Sequence, residues 1–457
     1  MRTAIAFLCF LLIANLCFAD ALYVGVSQSI ITPEIGTPMA GYYYDRGAEG
    51  VHDDLYTKAL VLEKDGQQIA LVTCDLIKIP GYLTQEIRTR VEKETGIPGG
   101  HVMISATHAH TGPVVPSSKE DEESSHELVR TFSQKLPAIV AENVKQAQRA
   151  LQPAILQAGL GSETTLSFNR RFVMRDGSVG WNPGKMNPNI VRTVGPIDPD
   201  VPVLYIETVD GTPIAAFVNF AMHLDTVGGL EYSADYPYTV SRIMSAVTSE
   251  DMVTLFTMGC SGNVNHLDFF SPKKQKGHEE AARIGTVLAG EVLKTLTRVD
   301  TIEVGTIKTK STVIELDLAP VDASDREHAE KIIATYGTEN PAPFLEMVNA
   351  FKVKDVLDRK GQPFAGEVQV IALGKDVAIV GLNGEIFVEL GLAIKKSSPF
   401  PLTIISSLSN STIGYVPDRK AYAEGNYEPV SARCAPGSGE MMVEAAVEML
   451  YKLYQSE

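Results

Sequence analysis

Short, near-continuous apolar runs that alternate with segments of helical periodicity constrain this chain most. Val102-Met103-Ile104-Ser105-Ala106, Val253 to Met258 and Val377 to Gly381 lack the in-out alternation of a half-wet strand. They read as strands covered on both faces. Ala59 to Glu63, Ile69 to Cys74, Val203 to Thr208, Ile214 to Asn219, Val368 to Leu373 and Leu402 to Ser406 join them. A 3.6-residue period runs through Leu83 to Thr95, Ser125 to Leu151, Tyr236 to Thr248, Glu279 to Leu296, Asp325 to Tyr336, Glu385 to Lys396 and Gly439 to Leu453. The pattern predicts an α/β chain of mixed sheets, two of them stacked, flanked by helices as an αββα sandwich.

No repeat or low-complexity tract breaks the pattern, so residues 20–457 read as one domain with a large core. Residues 1–19 read as a cleavable signal peptide: Arg2, the apolar Ala4 to Leu16, then Cys17-Phe18-Ala19 before Asp20. Export to the periplasm or outside the cell follows, with no transmembrane segment afterwards. Beyond the signal, Cys74, Cys260 and Cys434 are too few and too far apart for a disulfide framework. With 40 Lys and Arg against 56 Asp and Glu, the net charge of −16 repels nucleic acid and anionic membranes. Asn169 to Asp200, rich in Gly, Pro and Asn, reads as a long surface loop. It carries Arg170, Arg171 and the only tryptophan, Trp181, which makes it a candidate substrate wall.

Thr107-His108-Ala109-His110-Thr111-Gly112-Pro113 follows the Val102 to Ala106 run and delivers two imidazoles at i and i+2. On an extended segment these share a face, as ligands, proton carriers or one of each. Three more polar groups sit just past strands: His223 after Ile214 to Met222, Glu385 after Val377 to Gly381, and Tyr415 after Leu402 to Ser406 and the Asn410 to Gly414 turn. Ends of strands in one sheet converge. Two imidazoles, a carboxylate and a phenol suit Zn²⁺ with a position left for water. Taken singly, His223 also reads as a core histidine, Glu385 as a helix N-terminal carboxylate and Tyr415 as a packed ring.

The stretch Ala106 to Pro113 closely resembles the Gly-Thr-His-Thr-His-Ser-Gly-Pro signature of the neutral, non-lysosomal ceramidases, a zinc amidase family. The resemblance implies that His108 ligates zinc and that His110 is a proton donor or oxyanion partner. Met222-His223-Leu224-Asp225-Thr226, followed by Ser233-Ala234-Asp235, is similar to the family's Val-His-Pro-Thr and Ser-Ser-Asp. Leu382 to Phe387 resembles its Val-Pro-Gly-Glu-Phe-Thr, which implies a Glu385 ligand. Asn410 to Val416 and Tyr427-Glu428 match its Asn-x-x-x-Gly-Tyr-Val turn and second tyrosine, implying Tyr415 as ligand and Tyr427 in the active site. Asn169-Arg170 is similar to an Asn-Arg pair aimed at the substrate carbonyl. The likeness runs from about Tyr23 to Tyr427.

Two departures stand out. Where the family carries Gly-Asn/Asp-x-Ser-Pro-Asn, this chain reads Gly262-Asn263-Val264-Asn265-His266-Leu267, so a mechanism that needs that serine is unavailable and Asn265 and His266 become substrate-binding candidates. The immunoglobulin-like domain that follows in full-length ceramidases is also not expected after the final amphipathic helix. The expectation is hydrolysis of a carboxamide by zinc-activated water, with Arg170 and Tyr427 on the oxyanion and His110 protonating the leaving amine. The substrate is a small-molecule or lipid amide. Three alternatives stay open: a hydrolase of other small amides or esters such as N-acyl sugars or peptides, an amidohydrolase barrel, and a binding protein with a non-catalytic metal. Asp75 and His52-Asp53-Asp54 are candidate supports for the site or an additional Mg²⁺ or Ca²⁺ site. Arg171 reads as a surface residue, and Cys74 and Cys260 as buried fillers.

Overall fold

The computed structural model describes residues 21–44 and 46–456, so the expected signal peptide lies outside the described residues. The larger sheet contains β1 (Leu22–Ile30), β2 (Tyr56–Lys64), β3 (Gln67–Cys74), β4 (Val102–Ala106), β5 (Gln152–Ser162), β6 (Asp200–Thr208), β7 (Pro213–Phe220) and β8 (Val253–Met258). Its order is β8-β7-β6-β5-β1-β2-β3-β4, with the short Asp300–Thr301 strand added against β5. Only the outermost pairs, β7–β8 and β3–β4, run parallel. A second sheet runs β9 (Ile307–Leu316), β10 (Phe364–Leu373), β11 (Val377–Leu382), β12 (Leu402–Ser406), with β11 and β12 parallel.

Both faces of β2, β3, β4, β6, β7 and β8 are largely dry, which is why these strands read as continuous apolar runs. Leu60, Leu62, Ile69, Leu71, Leu204 and Ile206 point to the second sheet and meet Ile371, Ile379 and Ile404. Their neighbours Ala59, Val61, Ala70, Val72, Val203 and Tyr205 point the other way. There they pack beneath α1 (Gly81–Thr95), α2 (Glu127–Arg149), α3 (Tyr236–Val247) and α4 (His278–Leu296). A further helix, α5 (Phe344–Asp358), lies over the site described below. Beyond the second sheet, α6 (Val388–Ser397) and α7 (Ser438–Gln455) bury Leu390, Ile394, Met442 and Leu450. Helices, sheet, sheet and helices therefore form the four layers expected from the sequence. No sheet closes into a barrel among the described residues, which removes the barrel alternative. Among those residues no helix is long and apolar enough to cross a membrane.

Several segments differ from the sequence reading. Glu385 precedes its helix: Glu385–Ile386 is a two-residue strand paired with Tyr415–Val416, and α6 starts at Val388. Asn169 to Asp200 is partly ordered into a small sheet of Arg171–Met174, Val179–Trp181 and Ile190–Thr193. Cys74, Cys260 and Cys434 are buried and free.

Candidate metal centre

The chain between β12 and Tyr415 ties the strand ends together. Ser407 N donates to Met258 O at the end of β8, and Ala106 N at the end of β4 donates to Leu408 O. Ser105 Oγ lies 2.9 Å from Ser406 Oγ and 2.8 Å from Ser409 Oγ. Loops that leave β4, β7, β11 and β12 are thereby held at one end of the sandwich.

His108 adopts a left-handed backbone, φ +75°, that turns its ring beneath the loop after β3. Its Nδ1 donates to Ile77 O at 2.9 Å. His223 Nδ1 likewise donates to Ser261 O at 2.8 Å. Both tautomers are thus set with the Nε2 lone pair free, the arrangement that carbonyl partners impose on ligating imidazoles. Those two lone pairs face one carboxylate oxygen: Glu385 Oε2 is 3.5 Å from His108 Nε2 and 3.3 Å from His223 Nε2. That oxygen is buried and lacks a hydrogen-bond partner. The Tyr415 hydroxyl lies 3.4 Å from His223 Nε2. Burial, reinforced by the Arg170 charge, pushes the His223 imidazolium down to about 4, so the ring is neutral. Two Nε2 atoms on rings whose Nδ1 atoms are held by carbonyls, facing a carboxylate oxygen without a hydrogen-bond partner, make a donor set that a divalent cation satisfies. The His108 and His223 rings stand at 80°, so their in-plane lone pairs can converge on one ion.

Arg170 is clamped from two sides. Its Nε donates to Glu428 Oε1 at 2.9 Å and its Nη2 to Gly262 O and to Tyr415 Oη, at 2.6 and 3.0 Å. Glycine is required at position 262, where a Cβ would come within 2.4 Å of Glu385 O. Tyr427 packs edge-on against Tyr415 and lies 4.3 Å from the Trp181 ring, whose buried Nε1 has no hydrogen-bond partner. His110 Nε2 is 3.3 Å from His108 Nε2, and its Nδ1 is 3.8 Å from Asp225 Oδ1. Burial pushes His110 down to about 3 against the pull of Asp225.

No family model matches the sequence, and no curated protein matches it. Solved structures do match. The neutral ceramidase from Pseudomonas aeruginosa has a TM-score of 0.75 at 19% identity, over 95% of this chain and 75% of that one. The chain has the fold of the neutral ceramidases. A ceramidase complexed with C2 gives a TM-score of 0.73 at 18% identity, again over 95% of this chain and 75% of the other. The neutral ceramidase resemblance read from the motifs and the fold agree.

Around this centre, other candidates fall into different places. Asn265 Nδ2 donates to Asn182 Oδ1 at 3.2 Å, and its own Oδ1 accepts from Leu267 N at 3.0 Å. His266 is 1% exposed and bonds Gln275 O through Nε2 at 2.7 Å. Both brace loop structure, and the buried His266 Nδ1 keeps no hydrogen-bond partner. Arg171 is buried against Glu428 and Glu424, because the loop that carries it is folded inward. Asp75 accepts from Tyr56 N and Thr107 Oγ1, at 2.9 and 3.2 Å, and so fixes the chain leading into His108. Asp53 accepts from Ser233 Oγ and Ala234 N, and Asp54 from Thr32 Oγ1. His52, Asp53 and His278 are close enough to suggest a second ion. The His52 and His278 rings, however, stack at 3.6 Å and 10°, and parallel planes do not aim their lone pairs at one point. Sequence reasoning passed over Asp225 and Tyr42, whose hydroxyl donates to Asp225 Oδ1 at 2.5 Å behind His110. Asp225 lies two residues after His223, and that nearness in the chain was the one signal available.

Proposed function

We propose that this chain is a zinc-dependent hydrolase of linear amides, exported from the cell, with His108, His223, Glu385 and Tyr415 as the metal-binding residues. The observation that carries it is the convergence of two carbonyl-oriented imidazoles on a buried carboxylate oxygen that has no hydrogen-bond partner. Bound zinc would polarise the amide carbonyl and lower the pKa of water toward neutrality. Arg170, rigid between Glu428 and Gly262 O, and Tyr427 would donate to the developing oxyanion. His110, kept neutral by burial, would take a proton from the attacking water and pass it to the leaving nitrogen, its Nδ1 facing Asp225 across 3.8 Å. Trp181 would form a substrate wall together with Tyr427 and Phe344, against which its ring packs.

A second reading of the substrate is favoured by the walls beside Glu385. The cleft there, about 870 Å³, contains Lys78, Asp355, Arg433, Ser117 and Thr412 with few large apolar side chains. That surface suits a polar amide better than a long hydrocarbon chain. The test compares metal content and amide hydrolysis in parent, His223→Ala and His110→Ala proteins. His223→Ala is expected to lose both, and His110→Ala to keep zinc while losing at least about 100-fold in kcat. Full turnover by metal-stripped protein overturns the proposal.

A further inference from the structure

The side chains assigned to the oxyanion are closed off. Arg170 is 5% exposed, Tyr415 7% and Tyr427 8%. Among the described residues, the two clefts beside Glu385 are lined by neither Arg170 nor Tyr427, although one of them reaches His108. A carbonyl placed between the metal and Arg170 needs room on the covered side. The cover is α5 together with Trp181. Val348 packs on Tyr415 and Tyr427, and the Phe344 ring stacks at 5.5 Å and 27° on Tyr427 and at 5.7 Å and 15° on Trp181. Tyr43 meets the same phenylalanine edge-on at 5.4 Å.

α5 belongs to an excursion, residues 317–363, inserted into the β9–β10 hairpin. Leu316 and Phe364 lie opposite one another in the register, so the excursion leaves and rejoins the sheet at a single rung. It has a small core of its own, in which Ala329, Ala350 and Val353 pack with Ile332 and Leu357, separate from the large cores around the two sheets. Backbone bonds to the body sit beside the rung: Ala319 N donates to Arg433 O and Ala435 N to Asp317 O, both at 2.8 Å. Farther out, α5 meets the body through the aromatic cluster and through Asp355, which accepts from Arg433 Nε at 2.7 Å and lies 2.6 Å from its Nη2. Side chains in that pair are 43% and 25% exposed, so water screens it and it holds lightly. A unit with its own core, one point of attachment and a light outer latch opens as a body about that point.

Resting on the amide-hydrolase reading, we propose that the 317–363 excursion is a hinged lid, closed in this structure, which turns about the Leu316–Phe364 rung to admit substrate to Arg170 and Tyr427. Phe344 is its specificity-determining ring, because it occupies the face of Tyr427 over which a bulky substrate group passes. Closure brings Val348 back onto Tyr415 and Tyr427 and excludes water from the oxyanion.

The experiment follows stopped-flow binding of acetohydroxamic and octanohydroxamic acids, two metal-directed probes of different bulk, to the zinc-loaded protein. In the parent, the observed rate for the bulky probe is expected to level off at the opening rate as its concentration rises. Asp355→Asn should raise that plateau about two- to fivefold, the scale of a partly exposed ion pair. Phe344→Ala should bring the rates of the two probes toward equality. Hydrogen exchange gives a readout without a ligand: amides of 344–358 should exchange through a local opening, faster in Asp355→Asn, while those of β10 exchange with global unfolding. Exchange of α5 amides by global unfolding alone overturns the lid. So do rates that rise linearly for both probes and stay unchanged in both variants, and if amides are still hydrolysed the hydrolase reading survives that result. Local opening of α5 in a protein that takes up no zinc and binds neither probe leaves the lid standing and removes the hydrolase reading. The plateau and the parent exchange pattern need no variant, so a misfolded Phe344→Ala does not blunt the test.

Discussion

Asp235 shows how much of the site rests on a single side chain outside it. Its carboxylate accepts from Thr226 N and Val227 N, at 2.8 and 3.0 Å, and from Tyr236 N at 2.7 Å, which caps α3. These bonds pin the chain that leaves His223. Removing the acceptor strands three buried donors, each costing about 1–3 kcal/mol when unpaired. Asp235→Ala is therefore expected to lower unfolding free energy by about 3 kcal/mol or more in urea denaturation. A loss below about 1 kcal/mol would show that the loop finds other partners. His108 presents the other residue-scale device. Its left-handed backbone is tolerated because Ile77 O and the neighbouring rings over-determine the ring position.

At the scale of elements, α3 and α4 touch where α4 has a glycine. A Cβ on Gly285 would come within 2.6 Å of both Tyr236 O and Thr239 Cβ, whereas one on Gly290 of the same helix meets nothing within 4 Å. Gly285→Ala should cost about 1–3 kcal/mol through overpacking. Gly290→Ala should stabilise by up to about 1 kcal/mol through helix propensity. Equal effects of the two in chemical denaturation would contradict close packing of this pair. The same comparison of environments explains what the sequence disclosed. β4, β8 and β12 are dry on both faces, and their bounds coincide with the apolar runs that predicted them. β1, β5 and β9 went unread, because each keeps one face partly wet and mixes polar, Gly or β-branched residues into an alternating pattern. α5 was missed because its buried positions do not stand out as one face of its sequence. The residues at the site were legible where a motif carried them, as with His108 and His223. Arg171, read as a surface residue, is buried, because loop folding, which no periodicity encodes, decides whether such a side chain faces inward. Asp225 gave no periodic signal either, since its meaning comes from what the fold sets beside it.

For the whole molecule, buried titratable groups give stability a pH dependence with a definite sign. Burial depresses His110 to about 3, His223 to about 4 and His266 to about 4, from an ordinary 6.5. As pH falls through 6.5 the unfolded chain takes up these protons and the native chain does not, so stability present above 6.5 is lost toward pH 4. Asp75 and Asp235, raised by burial to about 6 from 3.8, act with the opposite sign between pH 6 and 4. Three imidazoles that begin to act at higher pH outweigh two carboxyls. The Tm of metal-free protein is accordingly expected to fall between pH 7 and 5, and a rise would contradict the burial of these rings. Saturating zinc should raise Tm at pH 7, because an ion that binds only the folded chain stabilises it by mass action. Absence of any rise would argue that the donor atoms do not bind the ion.

Zinc K-edge absorption on the loaded protein tests the central claim most directly, because it counts the donor atoms around the ion. One zinc per chain with two imidazole nitrogens and oxygen donors near 2.0–2.2 Å is the predicted spectrum, losing one nitrogen or the whole ion in His223→Ala. A chain that takes up no zinc, or one whose zinc site keeps both imidazoles in His223→Ala, would contradict it.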